Sequence, residues 1–399
     1  MTAAQPRIES DRVIVPGLVN AHSHSFQRAI RGRTEHRIGE RDTFWTWREA
    51  MYRVANRLTP EDVYDVARMA FLEMVLTGIT TVREFHYLHN APDGSPYDDP
   101  NLLAIQIIRA AQDVGLRIVL LRSAYARAGW QKPPNPLQAR FITPSADAFV
   151  LDTERLLKMG LAPVGIAPHS IRALPLDYIR EIASYAESSN LPVDMHVAEQ
   201  PAEIEECLAE HGQCPVELLE RAGILKSTFT AVHAIHITQE EIDFLGATKA
   251  HVCACPTTER NLGDGAVPAD RLLNAGARIC LGSDSNAQIG ILEDARSLEY
   301  HLRMRRLERS ILPPKRLLEA ATEGLVVSHA GDFFTLDLND PSLASADEES
   351  LIDQIVFSAE RTAVRDVFVG GHQIVEDGHH PREEEIVENF VRVQRRLWT

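Results

Sequence analysis

A chain of 399 residues, 44% of them hydrophobic, is long enough to bury one large core, and α/β barrels commonly occupy this length as a single domain. Its 57 acidic against 41 basic residues give a formal net charge of −16, a field that opposes nonspecific contact with nucleic acid or anionic membrane. The opening stretch has no apolar run of signal-peptide length, no later stretch approaches a membrane span, and five cysteines in so long a chain make no disulfide framework, which predicts a soluble, cytoplasmic protein with neither a nucleic-acid nor a membrane partner.

In chain order, short β-branched or apolar runs predict eight strands, near residues 13–20, 80–85, 117–124, 163–167, 192–197, 229–234, 250–254 and 278–282. Helical signals fill the gaps. Thr59-Pro60-Glu61 opens a capped run through Leu76, ended by Gly78, and residues 200–221 repeat acidic and apolar side chains at helical spacing. Strands alternating with crossover helices predict a parallel sheet, and eight such units predict a closed (β/α)8 barrel of the TIM type over residues 14–330. The texture changes after Ala330, where residues 332–338 alternate weakly and residues 364–375 hold a Gly370-Gly371 turn between two strand-like runs. Residues 1–13 and 331–399 are therefore expected to form a small, incomplete β-sandwich appendage with a C-terminal helix. Residues 345–350 predict a surface loop, and Cys253 and Cys255, set in an apolar run, read as buried small residues.

Catalytic groups of such a barrel belong at the C-terminal ends of its strands. The first run ends in Asn20-Ala21-His22-Ser23-His24, and residues two apart on a strand project to one side, so both imidazoles can reach one ion. Among sixteen histidines an H-x-H arises readily by chance. The fifth run, however, ends in Asp194-Met195-His196-Val197-Ala198-Glu199, the sixth in Val232-His233 and the eighth in Gly282-Ser283-Asp284. A lone histidine in an apolar strand is usually a packed core residue, and Glu199 alone would read as a helix-entry carboxylate. Ligand types at four strand ends in this order point instead to a metal site.

These segments, P-G-L-V-N-A-H-S-H, H-V-A-E, V-H-A-I-H and G-S-D-S, resemble the amidohydrolase superfamily, in particular its mononuclear-zinc deaminases, over most of the chain. The resemblance implies that His22, His24, His196 and Asp284 bind one Zn2+, with Fe2+ or another divalent ion as the alternative at the same donors. It makes His233 and Glu199 catalytic without tight ligation. Residues 163–169 contain no lysine, which disfavours a carbamylated lysine bridging two metals. In the chemistry so implied, zinc acidifies a water and Asp284 takes its proton as the oxygen attacks an sp2 carbon bearing nitrogen. His233 stabilises that oxygen, and Glu199 protonates the leaving nitrogen.

The segments H-S-H-S-F-Q-R-A, F-W-T-W-R-E, R-E-F-H-Y-L-H and H-S-I-R-A resemble more narrowly the formimidoylglutamate deiminases of histidine degradation, and they fall where barrel loops shape the pocket. Their substrate, N-formimino-L-glutamate, is deiminated to N-formyl-L-glutamate and ammonia. It is a small dicarboxylate, and planar arginines hold carboxylates bidentately, so Arg48 and Arg172 are the expected clamps. The resemblance further assigns Tyr87 and His169 to a carboxylate and Gln27 to the formimino group. Arg28, Arg31, Arg33, Arg37 and Arg41 crowd the same region, so Arg48 also reads as a solvated helix residue, and the cluster would steer a dianion through the negative overall field.

A related zinc aminohydrolase acting on a guanine, adenosine-derived or triazine ring is the rival enzyme reading. Two arginine forks argue against it, because a ring needs apolar and stacking walls. A non-catalytic barrel scaffold is the rival from another class, and the complete set of expected ligands argues against that. Only 21 residues precede His22, and the connection between Leu318 and Asp332 is short for the superfamily. A barrel end left uncovered in this way predicts a homodimer that buries it.

Overall fold

The computed structural model describes residues 5–36, 43–322 and 331–399. Their strands are β1 (Arg7–Glu9), β2 (Arg12–Pro16), β3 (Leu18–Ser23), β4 (Ile79–His86), β5 (Arg117–Ala124), β6 (Val164–Pro168), β7 (Val193–Val197), β8 (Phe229–His233), β9 (His251–Ala254), β10 (Arg278–Leu281), β11 (Phe333–Asp337), β12 (Val364–Val369) and β13 (His372–Val375). Strands β3 to β10 lie side by side in chain order, all neighbours parallel, which is the expected barrel. Every residue of β3, β4, β6, β7 and β8 is buried, because helices cover the outer face and side chains fill the interior.

The ring is joined between β10 and β3 by two main-chain hydrogen bonds, from Asp284 N to His22 O and from His24 N to Asp284 O, each 2.9 Å. Gly282 makes this seam possible. A Cβ there would lie 2.7 Å from His22 Cβ and 2.8 Å from its carbonyl oxygen. Asn20 and Ser283 pair across the same seam through Asn20 Nδ2 to Ser283 Oγ at 2.7 Å and Ser283 N to Asn20 Oδ1 at 3.0 Å.

The first predicted run divides into two strands. Pro16 cannot donate to a ladder, and at Gly17 the chain leaves β2 for β3, with Gly17 N bonded to Asp332 O at 3.0 Å. The helix predicted over residues 200–221 is likewise two helices, Pro201–His211 and Pro215–Arg221, because Gly212 adopts a left-handed φ of 69° and Pro215 restarts the chain. The helix Pro60–Val75 keeps its expected start, with Thr59 and Asp62 capping each other.

The expected shortened sandwich takes the form of one five-stranded antiparallel sheet, in the order β1-β2-β11-β12-β13. Its inner face buries Val13, Val15, Phe334, Leu336 and Val367. Arg117 at the start of β5 grips Asp332 through two bonds of 3.0 Å and so ties this sheet to the barrel. The C-terminal helix, Glu383–Trp398, returns to the barrel's flank, where Gln394 and Trp398 both donate to Ala29 O and Arg28 lies over the Phe390 ring. The shortened connection between Leu318 and Asp332 falls mostly on residues 323–330, outside the described residues, as do Arg37 and Arg41.

Candidate metal centre and active site

Four side chains from three corners of the barrel meet at its C-terminal mouth. His22 and His24 stand at the end of β3, His196 on β7, and Asp284 just past β10. The Nε2 atoms of His22 and His24 are 3.1 Å apart, those of His24 and His196 3.3 Å, and those of His196 and His22 3.2 Å. Asp284 Oδ1 lies 3.3 Å from Nε2 of both His22 and His24. A tetrahedral ion about 2.0–2.1 Å from each donor sets donor–donor edges of about 3.3 Å, so the spacing fits one such ion.

The rings are held for this purpose. Nδ1 of His24 bonds Phe85 O at 2.8 Å, and Nδ1 of His196 bonds His169 O at 2.9 Å, which fixes the proton on Nδ1 and leaves the Nε2 lone pair facing the cluster. Burial lowers the pKa of His22 to about 4, with a hydrogen bond to Asp284 opposing it. Burial, then the neighbouring His169, lowers that of His196 well below its ordinary value. Burial pushes the Asp284 carboxyl up, but hydrogen bonds from His22 and His24 outweigh it and hold the group well below the usual carboxylate range. His22 and His196 held neutral beside an ionised Asp284 are donors that suit a cation.

His233 ends β8 with its side chain fully buried, and its Nε2 has no hydrogen-bond partner. That atom is 3.8 Å from Glu199 Oε1 and 3.8 Å from Asp284 Oδ2, so it faces the gap between two carboxylates. Burial opposes protonation of His233, but a hydrogen bond to Glu259 and the charges of Glu199 and Asp284 push it up to about 10. The backbone here is left-handed at Ala198, His233, Ala234 and Asp284, with φ of 53°, 72°, 52° and 47°. Such conformations are costly for residues with a Cβ and gather at functional sites.

One cavity, enclosing about 460 Å³ of open and enclosed space, joins this cluster to the predicted recognition residues. Its wall includes Gln27, Arg48, Tyr87, His169, Arg172 and Glu199 beside His24, His196 and Asp284. Gln27 Nε2 donates to the Tyr87 hydroxyl at 2.8 Å, and its buried Oε1 has no partner. Tyr87 and His169 pack edge to face, 5.3 Å between centroids. Burial, then Arg172, holds His169 well below its ordinary pKa, so it is a neutral ring.

The two arginines differ. Arg48, on the helix Phe44–Ala55, lies 4.4 Å over the Trp45 ring and has no carboxylate partner among the described residues. Arg172 is already engaged, its Nη2 with Glu199 Oε2 at 3.1 Å and its Nε with Glu203 Oε2 at 3.2 Å. Burial would lower the pKa of Arg172, but Glu203 and then Glu199 more than reverse that. Three more arginines of the basic cluster lie among the described residues. Arg28 and Arg31 share Glu73 at 2.6 Å each, and Arg33 stacks on Trp398.

Apart from Phe44 and Trp47 of the F-W-T-W-R-E segment, several further contributors lack a motif of their own. Phe44, Trp47, Met51, Tyr52 and Leu262 complete the wall. Glu203 holds both Arg172 and, at 2.8 Å, the amide of Ala198. Glu259 reaches His233 from a neighbouring helix. The one signal of Glu203 and Glu259 in sequence is a charged residue in the first turn of a helix that follows a strand.

The Amidohydrolase family matches residues 13–324, and the chain belongs to it. It is 37% identical over 402 residues to formimidoylglutamate deiminase of Pseudomonas aeruginosa, covering 95% of this chain and 88% of that protein. A 5-methylthioadenosine/S-adenosylhomocysteine deaminase of Desulforamulus reducens is 26% identical, over 93% of this chain and 82% of that one. The crystal structure of an amidohydrolase from Brucella melitensis superposes with a TM-score of 0.89 at 34% identity, covering 97% of this chain and 90% of that one. An adenosine deaminase from Xanthomonas campestris with bound zinc shares the fold, with a TM-score of 0.82 at 21% identity over 97% and 86% of the two chains. The protein is therefore an enzyme that hydrolyses carbon–nitrogen bonds, a hydrolytic deaminase that carries a His/Asp metal site and acts on a small molecule. Among the described residues, no helix is long and apolar enough to cross a membrane.

Proposed function

We propose that this enzyme hydrolyses N-formimino-L-glutamate to N-formyl-L-glutamate and ammonia in histidine degradation, with one zinc ion held by His22, His24, His196 and Asp284. The carrying observation is one pocket whose wall brings three of those donors, His24, His196 and Asp284, together with two guanidinium groups, Arg48 and Arg172. A linear dicarboxylate with a C=NH head is the shape such a pocket selects. Similarity to the Pseudomonas aeruginosa deiminase supports the same reading. Three imidazole nitrogens and one carboxylate oxygen are donors that suit zinc.

When bound, zinc supplies a Lewis acid and a water acidic near neutrality. Asp284 is placed to take a proton from the attacking water. Glu199, on the far side of His233 Nε2, is placed to protonate the nitrogen that leaves as ammonia. Gln27 Oε1 is a free acceptor for the N–H groups of the formimino head. Arg172 has used two of a guanidinium's five N–H groups, so it retains donors for a substrate carboxylate.

Ammonia release from formiminoglutamate, run beside guanine and 5′-methylthioadenosine, tests the reading. The expected result is turnover of the first alone, abolished by a chelator and restored by zinc. Turnover of guanine with none of formiminoglutamate would overturn it. We also read the enzyme as a cytoplasmic homodimer. Tyr300 and Met304 on the helix Ile291–Arg306, and Leu307 just past its end, are exposed apolar side chains, which supports the dimer. Light scattering is expected to give twice the chain mass, and a monomer at micromolar concentration would refute that part.

A further inference from the structure

His233 is a side chain under restraint. It sits at a left-handed φ of 72°, followed by Ala234 at 52°, and its ring is buried with Nε2 bonded to nothing. An imidazole held at only one nitrogen owes its orientation to that contact. The contact is Glu259, whose Oε1 lies 3.3 Å from His233 Nδ1.

Glu259 is itself fixed from several directions. It stands on the helix Pro256–Leu262, which follows β9, the parallel neighbour of β8. Its Oε1 also accepts the Cys255 amide at 2.9 Å. Its own amide donates to Cys255 O at 2.9 Å, and its carbonyl accepts from Asp264 N at 2.9 Å. The side chain is 0% exposed and Oε2 has no partner, so His233 is the one basic side chain among the described residues that it meets. A buried carboxylate is costly unless it has work that a neutral group does less well.

We propose that Glu259 is a positioning residue: by accepting the Nδ1–H of His233 it aims Nε2 into the gap between Glu199 and Asp284, where the reacting atoms sit. A carboxylate behind the imidazole holds the Nδ1–H and so fixes which way Nε2 points. The inference rests on the proposed role of His233, and it adds a residue that touches neither substrate nor metal. His233, Cys255 and Glu259 together also lie within 4.8 Å of one another, as a second ion site would require. The shared use of Glu259 Oε1 by two donors, and a Cys255 Sγ directed 3.9 Å from Cys253 O, favour the hydrogen-bonded reading.

The test uses the zinc-loaded full chain and the variants Glu259→Gln and Glu259→Ala. Both are expected to keep one zinc per chain and a KM for formiminoglutamate within about twofold, while kcat falls about 10- to 100-fold, the usual loss when a group behind a working histidine is removed. A second readout needs no turnover. In protein labelled with 15N-histidine, the downfield proton on His233 Nδ1, assigned by its loss in His233→Asn, is expected in the parent and absent in Glu259→Ala. If Glu259→Ala does not fold, Glu259→Gln, equal in size, is expected to shift that proton upfield and still lower kcat. An unshifted resonance, an unchanged kcat, or two zinc ions per parent chain would each overturn the proposal. If the parent releases no ammonia from formiminoglutamate, the substrate reading fails, and the resonance still decides whether the bond exists.

Discussion

The two ends of the pocket are built on different principles. At the metal end, imidazoles are oriented by main-chain carbonyls, His24 by Phe85 O and His196 by His169 O, and the seam between β3 and β10 carries both His22 and Asp284. At the arginine end, side chains are held by side chains, Arg172 by Glu199 and Glu203, Arg48 by the face of Trp45. The first arrangement comes with the barrel itself and changes only if the barrel does. The second depends on a few charged partners, so single substitutions there separate binding, catalysis and stability in a way that substitutions at the ligands do not.

The largest separation is expected at Arg172. Arg172→Ala leaves Glu199 and Glu203 buried without their cation, a defect worth about 3–5 kcal/mol of stability. It also removes the proposed substrate contact and the group that holds Glu199, so kcat/KM is expected to fall about 10³-fold, the sum of two charge-assisted bonds at about 2 kcal/mol each. Arg48→Ala is expected to be milder. It breaks no carboxylate pairing among the described residues, so its stability cost stays within about 1 kcal/mol, and its loss falls on KM by about 10- to 100-fold with kcat nearly kept. Thermal denaturation and steady-state kinetics on both variants check this. If Arg48→Ala were the more destabilised of the two, the contrast between them would be wrong.

That contrast also explains what the chain revealed before it was folded. His22, His24, His196 and Asp284 are legible because a strand's end is written in a few contiguous residues, and eight strand ends of one barrel must converge. The strand pattern is legible for the same local reason, except at Pro16-Gly17, where one apolar run serves two sheets and hydropathy alone shows no break. The pairing of Arg172 with Glu203 spans 31 residues and that of His233 with Glu259 spans 26, and neither has a period or motif to mark it. Arg28 and Arg31 illustrate the reverse error of counting charges along a chain. Their partner Glu73 lies more than 40 residues away, and it offsets one of their two charges.

The smallest effect tests whether the carboxylates between the two ends form one electrostatic unit. Asp264, after the helix Pro256–Leu262, accepts from Gln200, leaves Oδ2 unpaired, and is nearly buried. Burial, then the charge of Glu199, pushes its carboxyl up from the ordinary 3.8 to about 8, against the opposing charge of His233. The folded chain thus holds a proton that the unfolded chain gives up near pH 4. This contribution to stability is full below the unfolded value and is lost as pH rises through about 8. Asp264→Asn cannot ionise, so its stability relative to the parent is expected to rise between pH 4 and 8 and level off above. A difference in Tm that grows over that range and levels off above it is the signature to look for. With Glu199→Gln in the background, the charge of Glu199 is gone and the same difference is expected to shrink. If it does not, Asp264 responds to burial alone, and the carboxylates on either side of His233 act independently.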